Sequence, residues 1–290
     1  MGSYRTINKL LLLLLIVGGF FVGGCQKNET STILPASREV EVKDEAYGTD
    51  PAQKMDVYLP ADRSTDATKA IVFIHGGGWV GGDKKDFTLA IDSLKNRTAT
   101  YAYFNINYRL ATANRNHFPT AEQDVKQALE YIWQNAGRYQ ISNITIVLGA
   151  SAGAHLAALS AYKHNEKGYI KTAICLIGVY NMTTLYNQAG ADVKPLLSIF
   201  MGGSPQQNPT AYQEGSPVNY VTAKSPPTLV IHGTEDQVAP IAQAEELVQH
   251  LKQAGVVHEY VTYKAGHEIP PASAGDAVLR MFTFINKYAK

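Results

Sequence analysis

The chain has 290 residues and a formal net charge of +1; 45% of its residues are hydrophobic and 18% are charged. A chain of this length and composition buries one large core, so a single globular domain is expected. The near-neutral balance, without a cluster of lysine and arginine, argues against nucleic acid as a partner.

The N-terminal segment resembles a bacterial lipoprotein signal. Arg5 and Lys9 precede an apolar stretch at residues 10–22, which is shorter than the roughly 20 residues that span a bilayer. Small residues then lead to Cys25, so we expect a signal peptide over residues 1–24 and a lipid on Cys25, with secretion of the unlipidated chain as the alternative. Residues 25–38 are predicted to form a flexible polar tether. Gln26 rather than aspartate follows the cysteine, so the expected location is the outer membrane of the cell envelope.

The rest of the chain alternates between strand and helix patterns. Strands are predicted at residues 39–43, 55–59, 70–74, 101–108, 144–148, 172–179, 227–231 and 259–263. Helices are predicted at residues 87–94, 119–135, 152–162, 240–253 and 274–288. This order predicts an α/β domain over residues 39–290, with a mostly parallel central sheet and helices on both faces. Residues 181–218, rich in Gly, Pro, Gln and Asn, are predicted to form a small lid or pocket wall.

Two glycine-rich motifs follow predicted strands. The sequence GASAG at residues 149–153 lies between a buried strand and a helix, the context of a nucleophilic serine on a tight turn. The sequence HGGGW at residues 75–79 supplies backbone N–H groups that can bind negative charge developing on an oxygen. Asp236 and His267 then follow two later strands, which gives the chain order serine, acid, histidine. Together these pieces predict a nucleophile with its acid–base partners.

These motifs resemble those of the H-G-G-G-W carboxylesterases, α/β-hydrolases that include bacterial acetyl and feruloyl esterases. The resemblance extends over nearly the whole chain after residue 39 and implies the α/β-hydrolase fold. It implies Ser151 as the nucleophile, His267 as the general base and acid, and Asp236 as the orienting carboxylate. It assigns the oxyanion hole to three backbone N–H groups, those of Gly76, Gly77 and Ala152.

The resemblance also implies a reaction, that of a serine carboxylesterase that needs no metal or organic cofactor. Ala150 stands where the hormone-sensitive-lipase-like branch has aspartate, so the chain is placed in the smaller, cap-poor branch. The envelope location and the small lid favour short-acyl esters, such as acetyl or feruloyl groups on plant-type polysaccharides or oligosaccharides. An arylformamidase- or peptidase-like amide hydrolase is the alternative, and a catalytically inactive binding module is a third hypothesis, disfavoured by the intact triad. No oligomeric state is predicted.

Some motif residues have a second interpretation. Ser151 could be a helix N-cap, and the glycines after the first motif's histidine could form only a tight turn. Glu235 competes with Asp236 for the role of the acid, although the H-G-x-x-D pattern favours Asp236. Trp79 is predicted either to line the acyl pocket or to pack beneath the lid.

Three further histidines and the second cysteine are predicted to be structural. His267-Glu268 begins like the zinc-binding pattern H-E-x-x-H, but Pro270 and Pro271 prevent the helix that this pattern requires, so no metal site is predicted. Cys175 lies in an apolar run and is expected to be a buried core thiol. Packing or hydrogen-bonding roles are expected for His75, His155 and His232.

Overall fold

An eight-stranded sheet forms the centre of the computed structural model, which describes residues 32–96, 98 and 100–290. The strands are β1 Val40–Ala46, β2 Lys54–Leu59, β3 Lys69–Ile74, β4 Tyr101–Ile106, β5 Thr145–Ala150, β6 Ile170–Leu176, β7 Thr228–Gly233 and β8 His258–Tyr263. Their order in the sheet is β1-β2-β4-β3-β5-β6-β7-β8. β2 pairs antiparallel with both of its neighbours, and the other neighbouring pairs are parallel.

Helices cover both faces of this sheet. They are α1 Thr88–Lys95, α2 Thr120–Gln134, α3 Ala136–Tyr139, α4 Ala152–Lys163, α5 Met182–Gln188, α6 Val193–Met201, α7 Pro209–Glu214, α8 Ala242–Gln253 and α9 Ala274–Tyr288. Buried residues of α2, α4 and α8 share one core cluster with one set of strand side chains, and those of α1 and α9 share a second cluster with the opposite set. The central strands are apolar along both sides because both sides are buried. The predicted fold class is confirmed.

The carboxyl ends of the strands differ in detail from the sequence prediction. The strand predicted at residues 101–108 ends at Ile106, because Arg109 turns away to pair with Asp124 on α2. The strand predicted at residues 172–179 ends at Leu176, because Ile177 has a positive φ of 45° that directs the chain out of the sheet. Both departures lie at the edge of the sheet where the predicted functional residues meet.

Residues just before the predicted boundary at residue 39 contact the domain. The buried guanidinium of Arg63 donates to the carbonyl oxygens of Leu34, Pro35 and Arg38, and the backbone N–H of Leu34 donates to Arg138. Residues 34–38 are therefore bound to the domain, and only residues 25–33 of the predicted tether precede these contacts. The predicted signal peptide at residues 1–24 and the predicted lipidation site Cys25 lie outside the described residues. In the described segments, no helix has both the length and the hydrophobicity of a membrane span.

Candidate active site

Ser151 lies on the sharp turn between β5 and α4. Its backbone has φ 54° and ψ −120°, a strained conformation that points the side chain out of the sheet. The flanking glycines make the turn possible, because a Cβ on Gly149 would lie 2.1 Å from the carbonyl oxygen of Gly153. A Cβ on Gly153 would lie 1.9 Å from the carbonyl oxygen of Ile74, at the end of β3. The turn therefore depends on close backbone packing that only glycine allows.

His267 and Asp236 reach Ser151 from the loops that follow β8 and β7. Nε2 of His267 lies 2.9 Å from Oγ of Ser151, and Nδ1 lies 2.7 Å from Oδ2 of Asp236. An ionised carboxylate only accepts hydrogen bonds, so Nδ1 of His267 carries the proton and Nε2 accepts from the serine hydroxyl. The structure thus brings the three predicted catalytic residues together in a continuous hydrogen-bonded chain.

The Asp236 carboxylate is buried and held by more than His267. Its Oδ1 accepts hydrogen bonds from the backbone N–H groups of Val238 and Ala239, both at 2.9 Å. Burial raises the pKa of this carboxyl, but the hydrogen bonds from His267 and the two amides outweigh it, so the pKa lies below its ordinary value. The competing candidate Glu235 is exposed, with its carboxylate 3.9 Å from Nζ of Lys264. The contact with His267 is made by Asp236.

The three predicted oxyanion-hole amides lie in positions suited to that role. Gly76 packs against the serine turn, since a Cβ there would lie 3.3 Å from Cβ of Ser151. Gly77 has a positive φ of 100° and begins a tight turn in which its carbonyl accepts from the N–H of Gly81 at 2.9 Å. Within residues 32–96, 98 and 100–290, the N–H groups of Gly76, Gly77 and Ala152 donate to no other protein group. They are free to bind a substrate oxygen.

An apolar cavity of about 340 Å³ opens beside Ser151. Ser151 and His267 are the only polar side chains in its lining. The sheet side and the loops contribute Trp79, Ile177, Val179, Val238 and Ala239, together with Gly77 and Gly78, and the 181–218 segment contributes Leu185, Val193 and Leu196. The cavity can therefore hold an uncharged group bonded to a carbonyl carbon at the serine.

The BD-FAE family profile matches residues 55–251, more than half of the chain. The chain belongs to the BD-FAE family. Esterase LipC of Mycobacterium tuberculosis is 30% identical over 244 residues, covering 79% of this chain and 58% of that protein. Probable carboxylic ester hydrolase LipM of the same organism is 28% identical, covering 70% of this chain and 49% of that protein. The chain thus spans about half the length of the curated relatives it matches. These names confirm the prediction of an esterase family.

Solved structures confirm the fold of this BD-FAE member. A bifunctional GH43-CE protein of Bacteroides eggerthii superposes with a TM-score of 0.76 at 24% identity, covering 86% of this chain and 35% of that one. A truncated carbohydrate esterase from gut microbiota superposes with a TM-score of 0.73 at 23% identity, covering 88% of this chain and 98% of that one. At these identities the likeness shows the fold.

Trp79 lies in both of the positions predicted for it in this BD-FAE member. It lines the cavity beside Ser151, and its ring also stacks on Phe200 of α6 at 4.5 Å between centroids. The predicted lid segment supplies one wall of the cavity through α5 and α6. A lid and a pocket wall were alternatives in the sequence, and these contacts favour the pocket wall.

The other singled-out side chains are buried away from the reacting atoms. His75 stacks on Tyr108 at 4.3 Å between ring centroids, and Nε2 of His232 lies 2.7 Å from the carbonyl oxygen of Ala239. His155 hydrogen-bonds to Trp79. Cys175 is a buried free thiol, as expected, and burial raises its pKa to about 12. In the part of the chain that the structure describes, no cluster of three His, Cys, Asp or Glu side chains has the arrangement of a metal site.

Sequence reasoning missed most of the cavity lining. Ile177 and Val179 were predicted to belong to a strand, and Leu185, Val193 and Leu196 lie in a segment with no predicted helix. The apolar residues of α6 recur at helical spacing, and this pattern could have indicated an amphipathic helix within the 181–218 segment.

Proposed function

We propose that this protein is a serine carboxylesterase that hydrolyses short-acyl esters through an acyl-enzyme. The observation that carries the proposal is the hydrogen-bonded chain from Ser151 through His267 to the buried Asp236. Three backbone N–H groups that donate to no protein group among the described residues lie beside the same serine, next to an apolar cavity. A nucleophile, a base, an oxyanion site and an acyl pocket are the parts that acyl transfer requires.

In the proposed acylation step, Oγ of Ser151 attacks the ester carbonyl carbon while Nε2 of His267 takes its proton. The carbonyl oxygen becomes an oxyanion that the amides of Gly76, Gly77 and Ala152 stabilise; one such donor contributes about 3–4 kcal/mol in comparable sites. The carboxylate of Asp236 stabilises the resulting imidazolium. His267 then returns the proton to the departing alcohol, and the acyl group remains on Ser151.

Deacylation repeats the same proton path with water as the nucleophile. His267 takes a proton from the water that attacks the acyl carbon, and it returns that proton to Oγ of Ser151 as the acid leaves. The ionised Asp236 keeps the imidazole in the tautomer that both steps need, because Nδ1–H points to the carboxylate. Each residue thus has the same role in both halves of the reaction.

We propose acetyl or feruloyl groups on plant-type polysaccharides or oligosaccharides as the acyl groups removed. The cavity beside Ser151 has no charged wall, which suits an uncharged acyl group. Two of the similar solved structures are a bifunctional GH43-CE protein and a truncated carbohydrate esterase. This similarity supports a carbohydrate ester as the substrate. The shortness of the predicted lid argues for a small acyl group over a long lipid chain.

Hydrolysis of 4-nitrophenyl acetate, butyrate and octanoate by the purified protein tests this function. We expect turnover that falls with acyl length and is lost in Ser151→Ala while the far-UV spectrum is unchanged. Acetylated xylan and methyl ferulate then distinguish the two proposed acyl groups by the acid released. Wild-type protein that matches Ser151→Ala on every ester would overturn the esterase proposal, and cleavage of the corresponding anilides instead would indicate the amide hydrolase.

We also propose that a lipid on Cys25 anchors the protein in the cell envelope, at the outer membrane, facing either the periplasm or the cell surface. Support comes from the basic residues, the apolar stretch and the small residues that precede Cys25. Cys25→Ser is expected to move the protein from the membrane fraction to the soluble envelope fraction. An unchanged distribution would contradict the anchor.

A further inference from the structure

Trp79 and His155, which take no part in the proposed proton transfers, contact each other. Nε1–H of Trp79 donates a hydrogen bond to Nδ1 of His155 at 3.1 Å, and the two rings meet edge to face with centroids 5.3 Å apart. Both side chains are buried, Trp79 at 4% exposure and His155 at 0%. A buried hydrogen bond of this kind is costly to break without replacement.

The contact determines the tautomer of His155. An indole N–H can only donate, so Nδ1 of His155 is the acceptor and the ring proton resides on Nε2. Nε2–H in turn donates to the carbonyl oxygen of Gly215 at 2.7 Å, so both ring nitrogens are satisfied. Burial lowers the pKa of this imidazole to about 4, so the ring is neutral at neutral pH. His155 therefore joins two partners through opposite edges of one neutral ring.

These partners belong to different parts of the site. His155 lies one turn after the nucleophile on α4, and its backbone N–H donates to the carbonyl oxygen of Ser151 at 3.2 Å. Trp79 belongs to the tight turn that begins at Gly77, and its own φ of 62° is positive, a conformation that bulky residues adopt only under constraint. The side-chain bond thus connects the turn bearing the Gly76 and Gly77 amides to the helix that follows Ser151.

We propose that His155 is a positioning residue of the oxyanion hole: by accepting the Trp79 indole N–H, it holds the Gly76 and Gly77 amides at a fixed distance from Ser151. This inference rests on the proposed esterase function. Oxyanion donors act on charge that exists only in the transition state, so their displacement lowers kcat and leaves KM almost unchanged. His155 touches no reacting atom and acts only through Trp79.

Two amide substitutions separate the two hydrogen bonds of His155. In His155→Asn, Oδ1 of the asparagine is two bonds from Cβ, as Nδ1 of the histidine is. This variant therefore keeps the acceptor for Trp79 and loses the donor to Gly215. In His155→Gln, Nε2 replaces the ring Nε2, so the donor to Gly215 is kept and the acceptor at the Nδ1 position is lost. We expect His155→Asn to keep kcat within about 5-fold and His155→Gln to lower it about 10- to 100-fold, with KM within about 2-fold in both.

A purely structural role for His155 predicts the opposite order. Glutamine is closer to histidine in size, so a core-filling role would favour His155→Gln, and kcat would then follow the thermal stability of each variant. The unfolding midpoint of both variants is therefore measured with kcat and KM. Equal kcat in the two variants, a higher kcat in His155→Gln, or a rise in KM in place of a fall in kcat would overturn the inference.

The indole N–H resonance of Trp79 gives a readout that does not depend on activity. The chain has two tryptophans, and Trp133 donates its indole N–H to Oγ1 of Thr145 at 2.9 Å, away from the site. Trp133→Phe assigns the two signals and serves as the matched control, with kcat unchanged. His155→Gln should shift the Trp79 signal and speed its exchange with solvent, whereas His155→Asn should preserve it. A signal unaffected by His155→Gln would overturn the inference, whereas wild-type protein inactive on every ester would overturn the proposed function.

Discussion

At the scale of single residues, two adjacent acids illustrate how environment assigns a role. Asp236 and Glu235 follow the same strand, yet the Asp236 carboxylate is buried and accepts three hydrogen bonds, whereas the side chain of Glu235 faces solvent. The backbone amides of Val238 and Ala239 compensate the buried charge of Asp236. The exposed Glu235 has no such partners among its neighbours in the structure. Burial with satisfied hydrogen bonds, and not acidity alone, distinguishes the orienting carboxylate.

Asp236→Asn is expected to lower kcat by about 10³- to 10⁴-fold, because an amide no longer holds the proton on Nδ1 of His267 and the base loses its reactive tautomer. Glu235→Gln removes the same charge one residue earlier and is expected to change kcat by less than about two-fold. Steady-state kinetics on 4-nitrophenyl acetate compare the two. Equal losses in both variants would show that the net charge of the loop matters more than the hydrogen bond.

Three buried histidines predict how the stability depends on pH. Burial lowers the pKa of His75, His155 and His232, that of His155 to about 4. The unfolded chain binds protons below its ordinary histidine pKa, so the unfolding free energy should fall as the pH drops from about 6.5, by at most about 1.4 kcal/mol per pH unit for each histidine. For His155 the loss ends near pH 4, where the folded state also binds the proton. Urea unfolding at pH 7, 6 and 5 measures this slope, and His155→Gln should reduce it by up to one proton.

The residues of the triad could be predicted from the sequence because each follows a strand whose apolar pattern is unmistakable. Ser151, Asp236 and His267 also occur in the chain order of this architecture, and the structure brings them within hydrogen-bonding distance. The contact between Trp79 and His155 could not be predicted, because it joins the turn after β3 to α4 through side-chain directions that only the packed fold determines. The sequence could therefore predict the residues whose roles follow from chain order, but not the residues whose roles follow from tertiary contacts.

At the scale of elements, the β5–α4 connection is the part of the fold most sensitive to a single methyl group. Gly153 is the second residue of α4, and a Cβ there would overlap the carbonyl oxygen of Ile74. Gly153→Ala must therefore push α4 away from β3, which should lower the unfolding free energy by about 2 kcal/mol or more. The matched control is Gly275→Ala at the second position of α9, where no atom lies within 4 Å of a built Cβ.

Gly275→Ala should leave the stability unchanged or raise it by up to about 1 kcal/mol, because alanine favours the helix. Chemical denaturation of the two variants gives the comparison directly. Similar losses in both would mean that helix propensity, and not the contact with β3, decides the effect at Gly153.

The helices of the 181–218 segment were not predicted because each is short. α5 and α7 have 7 and 6 residues, too few turns for a periodic pattern to emerge, and the helical spacing in α6 extends over only 9 residues of a Gly- and Pro-rich segment. Tertiary hydrogen bonds stabilise them instead: Oε1 of the buried Gln243 on α8 accepts from the backbone N–H groups of Tyr180 and Asn181, just before α5. The composition of residues 181–218 indicated an insertion, but which of its side chains face the cavity could be seen only in the folded structure.

At the scale of the whole molecule, Arg63 connects residues 34–38 to the rest of the domain. Its guanidinium is buried and donates to five carbonyl oxygens, those of Leu34, Pro35, Arg38, Pro60 and Tyr139. The sequence placed residues 34–38 in the predicted tether, since nothing in their composition shows that a distant arginine binds their backbone. Sequence patterns cannot predict an attachment that depends on one buried side chain.

Arg63→Met keeps much of the side-chain length but removes all five donors. We expect the unfolding free energy to fall by about 2–4 kcal/mol and proteolysis before β1 to accelerate, while kcat/KM on 4-nitrophenyl acetate stays the same. Arg280→Met is the control: its ion pairs with Asp276 and Glu259 lie on the surface, so this variant should unfold at nearly the same urea concentration as the wild type. Limited proteolysis and urea unfolding measure both effects. Unchanged cleavage before β1 would contradict the role given to Arg63.

The attachment at Arg63 also has a mechanical consequence. β1 is an edge strand, joined to the sheet by β2 alone, and a pull on its free end would separate such a pair one hydrogen bond at a time. The chain before β1 is bound first by Arg63, and by Arg138 through Leu34, so tension applied at residue 33 is borne by several bonds loaded in parallel. Tension at residue 33 would therefore break these hydrogen bonds before it separates β1 from β2, so the sheet that positions Ser151 would stay intact until they fail.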